Sequence, residues 1–190
     1  RVVREDPVRR GLLYAGGEFG MYVSFDDGVA WQPLRLNLPV VPIHDLAVKD
    51  NDLIAATHGR SFWVLDDLTP LHQLTPEVAR ADRHLFKPRD VWRVRGGGFG
   101  GGGGPAQLRG VGQNPSNGAV VFAYFRNKPE GEVTLEFLDA RDSVIRRFST
   151  KPRAPTDSLK VSAGMNRFVW NLRYPDASRF EGMVLWGGGT

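Results

Sequence analysis

The sequence predicts an all-β chain: the terminal blades of a β-propeller followed by an incomplete immunoglobulin- or fibronectin-like β-sandwich. Three observations predict it. Short apolar runs bounded by Gly, Asp, Asn and Pro fill the N-terminal part. One stretch there repeats at a fixed offset. Beyond a glycine tract, a second series of strand-like runs begins, some of them alternating apolar and polar residues.

The first runs are 12–15, 21–23, 45–48, 53–56 and 62–65, rich in Leu, Val, Ile and aromatic residues. The stretch 13–27 aligns without a gap on 53–67, an offset of 40 residues (53 − 13 and 67 − 27). A strand-rich repeat of roughly 40–45 residues is the spacing of a propeller blade. Each unit should hold four antiparallel strands. These fall at about 1–5, 11–16, 20–24 and 31–34, then at 43–48, 53–57, 61–66 and 71–74. Two blades cannot close a ring, because propellers need roughly four to eight. Further blades are therefore expected upstream or in the other half of an assembly. Arg1 in place of an initiator Met also suggests an internal piece of a longer chain. Thr75-Pro76-Glu77 reads as a helix start, with Thr as cap and Pro in the first turn, giving a short helix near 76–82.

The blades are expected to occupy 1–86. Residues 87–117 then form one strand, at 90–94, and a linker dominated by Gly96–Gly98 and Gly100–Gly104. The sandwich occupies 118–190, with strands at 119–125, 133–138, 143–148, 158–162 and 166–172. Asp139-Ala140-Arg141-Asp142 is a turn and Trp170 a core aromatic. A seven-stranded sandwich would lack its last edge.

Composition removes several functional classes. The 190 residues include no Cys, so a disulfide framework, a Cys-based zinc site and a thiol nucleophile are all excluded. No apolar run approaches the roughly 20 residues of a membrane-spanning helix. The formal charge is +4, but the arginines scatter among acidic residues, which reads as a solvated surface rather than a nucleic-acid footprint. The four histidines, His44, His58, His72 and His84, have no metal-ligand spacing, and no cofactor is expected. The glycine pattern from Gly98 fits a nucleotide-binding loop only by accident, since Pro105 rather than a helix follows. Asn114-Pro115-Ser116 is not a glycosylation acceptor, because Pro is central.

The strongest motif is Ser24-Phe25-Asp26-Asp27-Gly28-Val29-Ala30-Trp31, which fits S-x-D-x-G-x-x-W between two strands. Its residues suit a tight turn. Asp carboxylates accept from backbone amides, Gly takes a positive φ, and Trp packs the turn onto the sheet. Ser24, Asp26, Gly28 and Trp31 therefore read as structural, and Asp26 and Asp27 as turn-formers rather than catalytic carboxylates. The second copy keeps Asp66-Asp67 but continues Leu68-Thr69-Pro70, a degraded version.

This motif is the Asp-box of BNR-type repeats. Together with the Thr57–Leu71 stretch and Gly164–Arg173, it resembles the C-terminal part of bacterial sortilin-type, BNR-repeat propeller proteins, often labelled glycosyl hydrolases, with a following Ig-like domain. The resemblance implies residence outside the cytoplasm, in the periplasm or secreted. It also implies a substrate cleft on the propeller side opposite the Asp-boxes. In a four-stranded meander the second-to-third turns lie on that side, so Glu18, His58 and Arg60 are the candidate ligand-facing residues. Glycoside hydrolysis needs two carboxyl groups at a set separation, and the chain offers at most Glu18. His44-Asp45 lacks an activated serine beside it. The sequence thus points to a scaffold or interaction region that binds a protein or glycan ligand without chemistry of its own. Part of a glycoside hydrolase with its carboxylates on upstream blades, and a sortilin-like peptide-binding propeller, are the alternatives.

Overall fold

Exposure alternates along residues 13–17, as period-two side chains require. In a computed structural model, which describes residues 1–93 and 116–175, β1 (Val2–Glu5), β2 (Leu13–Gly17), β3 (Gly20–Ser24) and β4 (Gln32–Pro33) form one antiparallel sheet in sequence order. The glycine tract and the end of the expected sandwich lie outside the described residues. A second sheet follows from β5 (Ile43–Lys49), β6 (Asp52–Thr57) and β7 (Phe62–Leu65), also in sequence order. Asp50 and Asn51, both at positive φ, make the two-residue turn between β5 and β6.

The two sheets pack face to face. Val2, Tyr14, Met21 and Val23 from the first meet Ile43, Leu46, Leu53 and Ala55 from the second in one buried cluster. Each Val, Leu, Ile or Met side chain among them contributes roughly 1.5–3 kcal/mol when fully buried. Gly16 sets the closeness of the approach. A Cβ there would stand 2.6 Å from Ile43 Cγ2 and 2.8 Å from Val2 Cγ1, so no larger residue fits without a shift.

The gap-free offset of 40 does not extend to the strand pairing. Ala15 pairs with Tyr22, whereas Ala55 pairs with Trp63, one residue further on. The difference lies in the turns. Gly17 and Gly20 pair around the two residues Glu18-Phe19, while Thr57 and Ser61 bond around the three residues His58-Gly59-Arg60.

The second unit lacks the expected fourth strand at 71–74. Helix α1 (Thr69–Gln73) stands there, with Pro70 in its first turn and the Asp67 carboxylate accepting from the Thr69 amide at 3.1 Å. Helix α2 (Pro76–Arg80) begins with the Thr75 hydroxyl accepting from the Val78 amide. Among the described residues no helix is long and apolar enough to cross a membrane.

The boundary of the second module also moves. β8 (Arg83–Leu85), inside the span assigned to the blades, pairs with β9 (Ala119–Phe125). Asp90 to Arg93 form no strand, contrary to the expected one at 90–94. β10 (Thr134–Leu138) and β11 (Val144–Ser149) make a hairpin, and β12 (Gly164–Trp170) pairs with the other side of β9. The strand expected at 158–162 is reduced to one bridge, Ser158 to Ser149. A single 3-10 turn, Pro155–Asp157, precedes it and engages the Ser158 amide through Pro155 O.

Aromatic rings join the two sheets of this module. Phe137 stacks on Trp170 at 4.3 Å, and Phe148 tilts against Phe168 at 4.6 Å. The chain is thus predominantly antiparallel β.

Candidate functional site

The two hairpin turns that point to the same end of the stacked sheets carry the candidate ligand-facing residues. β3 separates Glu18 from the Asp-box, so the two turns lie at opposite ends of that strand. Around Glu18 the structure assembles a polar chain. Arg1 Nε donates to Glu18 Oε1 at 2.7 Å, and Arg1 Nη1 lies 3.4 Å from His44 Nε2. His44 Nε2 in turn is 3.0 Å from His58 Nδ1. The two imidazoles stand 5.1 Å apart at 30°.

Each position follows from the local fold. The Glu18-Phe19 turn ends β2. A register irregularity between Ile43 and Asp45 releases His44 from the β5 ladder. The His58 amide donates to Pro42 O at 2.9 Å, which brings its turn back over β5. The structure therefore unites Glu18 and His58 through Arg1 and His44. It leaves Arg60 apart: its backbone carbonyl accepts from Trp63 Nε1, so this residue braces the turn by its main chain.

All four members of the chain are exposed, and the Arg1–Glu18 pair is open to water on both sides. Such a pair contributes about 0–1 kcal/mol to stability. Beside it, Arg4 bonds Asp45 at 2.7 Å. Glu18 and Asp45 are thus both held by arginines. Among the described residues no group of three His, Asp or Glu is placed to hold a metal.

At the other end the Ser24–Trp31 turn is a closed local network. The buried Ser24 hydroxyl donates to Asp26 Oδ1 at 2.8 Å and accepts from the Gly28 amide at 2.9 Å. Asp26 Oδ1 also accepts from the Ala30 amide at 2.9 Å. The Ala30 amide, with the Ser24 hydroxyl, holds the Asp26 carboxyl below its ordinary range. Gly28, at φ +87°, reverses the chain, and Trp31 lies against it. These residues serve the turn. In the second copy Asp67 Oδ1 accepts from Asn51 Nδ2 and the Thr69 amide, while its Oδ2 is buried without a partner among the described residues.

A further polar cluster has no counterpart among the motifs. The buried Asp6 accepts from the Val8 and Arg9 amides on Oδ1, and from Tyr14 Oη at 2.8 Å on Oδ2. His72 Nε2, on α1, meets the same Oδ2 at 2.9 Å. Burial opposes ionisation of Asp6, but the Arg9 amide, Tyr14, His72 and the Val8 amide outweigh it and hold the carboxyl below its ordinary range. Burial, then the bond to Asp6, pushes the Tyr14 hydroxyl well up. This cluster ties the first sheet to the helix after the second. Arg9 adds to the tie by donating to Leu71 O and Leu74 O.

The second module holds a cavity of about 480 Å³ between its sheets, lined by Leu85, Ala123, Phe125, Leu135 and Leu159 among others. No family model matches the chain, and neither the curated proteins nor the solved structures searched contain a match to it.

Proposed function

We propose that the two stacked sheets are terminal blades of a β-propeller, and that their shared turn face binds a protein or glycan ligand without chemistry of its own. The second module, in this reading, is an Ig-like spacer or docking domain. Residence outside the cytoplasm belongs to the same proposal and rests on the resemblance of the Asp-box and tail segments alone.

One observation carries the binding reading. Turn residues of both sheets meet in one exposed chain, Glu18–Arg1–His44–His58, at the end opposite the Asp-box. The chain offers donors, an acceptor and two flat rings on a solvent-facing surface, which suits polar recognition. Glu18 is engaged by Arg1 and stands open to water. That setting is unlike the apolar pocket that keeps a carboxylic acid protonated for glycoside cleavage.

The test is retention of the intact chain on panels of glycans and extended peptides. Binding is expected to one class, with at least a tenfold loss in His58→Ala and in Glu18→Ala, and no turnover. Cleavage of any glycan, or retention by neither panel, would overturn the reading.

A further inference from the structure

We infer that the two outer faces of the stacked sheets are docking surfaces for each other, and that copies of this chain associate head to tail through them. The inference rests on reading the sheets as repeated blades. It does not depend on ligand binding at the turns.

The repeat shows which face seeks which. In the first sheet Tyr14, Gly16, Met21 and Val23 share the face that meets the second sheet. Their equivalents by strand pairing are Ile54, Ala56, Phe62 and Val64, since Tyr14 pairs with Val23 as Ile54 pairs with Val64. These four lie on the outer face of the second sheet. Phe62 is 72% and Val64 52% exposed, although the positions they match are buried.

The converse holds on the other side. Leu53, Ala55 and Trp63 of the second sheet face the first. Their equivalents Leu13, Ala15 and Tyr22 lie on the outer face of the first sheet, beside Val3, which is 53% exposed. The molecule therefore displays both halves of the contact that already joins its two sheets. One half is at each end of the stack.

An apolar face of this kind on a sheet marks a packing partner. The partner must present the opposite half, and a second copy of this chain presents it. The contact is heterologous, because the two surfaces differ, so it propagates from copy to copy until rotation closes a ring.

Sedimentation velocity of the 190-residue chain tests this, over about 1–100 μM, since association follows mass action. The expected result is a mass that grows with concentration beyond that of a dimer. Val3→Asp and Phe62→Asp each alter one exposed position, so circular dichroism should show both folded. Each variant alone is expected to remain monomeric, because every copy then lacks the same half. Wild-type chain that stays monomeric at all concentrations overturns the inference, and leaves these faces to further units of one longer chain. Association that survives either substitution also overturns it, because that is the behaviour of a like-with-like contact. Loss of glycan or peptide binding with association intact would count against the turn site alone.

Discussion

Tyr14, Gly16, Met21 and Val23 in the first sheet and Ile54, Ala56, Phe62 and Val64 in the second occupy equivalent places, yet the first set is buried and Phe62 and Val64 are open to water. Strand chemistry does not separate them, since both sets are apolar or small at period two. What differs is the layer above. A unit of this repeat obtains its buried face from its neighbour, as stacked repeats do. The turns after β3 and β7 show the same dependence. Gly28 lets the first chain reverse into β4, whereas after β7 the fully buried Leu68 leads into α1. The last unit of the stack gives up its fourth strand and covers core with a helix.

The largest effect that sharpens this contrast is at Tyr14. Tyr14→Ala should cost about 3–5 kcal/mol in urea unfolding, through lost packing and a lost donor to Asp6. Ile54→Ala, at the equivalent place, should cost only about 1 kcal/mol in the monomer. Equal losses would show that the outer face of the second sheet is already covered. Next comes the glycine. Gly16→Ala must push against Ile43 and Val2 and should cost about 1–3 kcal/mol. The reverse change, Ala56→Gly, meets no such contact and should cost about 0.5–1 kcal/mol from backbone entropy.

The smallest effect is a pH dependence at Tyr14, whose equivalent in the second sheet is the apolar Ile54. The Tyr14 proton is held more tightly in the folded state than in the unfolded one. Its stabilisation is complete below the ordinary tyrosine value of about 10 and falls as pH rises beyond it. Asp6 is shifted the other way, so its contribution is present above about pH 4 and is lost as pH drops further. Melting curves across this range should show Tyr14→Phe losing part of the alkaline fall. Superimposable alkaline limbs would argue against the buried Tyr14–Asp6 bond.

Much of the strand pattern was legible, because alternation and Gly- or Asp-rich turns are local signals. The Ser24–Trp31 turn was legible for the same reason. Misreadings arose where distant contacts decide. Residues 71–74 fall where the repeat calls for a fourth strand, but Pro70 and the Asp67 carboxylate start a helix that Leu71 packs onto the core. Arg83–Leu85 reads as the end of the blades until β9, far along the chain, pairs with it. At the turn face, Glu18 and His58 could be placed by topology, while Arg1 and His44 carry no motif. A signal for His44 did exist: a tight turn at Asp50-Asn51 folds β5 back on β6 and sets His44 opposite 56–57, next to His58. Arg60 could be placed in the same turn by topology, while the use of its carbonyl by Trp63 Nε1 carries no signal in the sequence.

The most direct test of the central claim mixes two damaged copies. Val3→Asp retains only the face of the second sheet and Phe62→Asp only that of the first. An equimolar mixture should form a one-to-one dimer that grows no further with concentration, although each variant alone is monomeric. A mixture that stays monomeric, or one that continues to larger assemblies, would contradict the account.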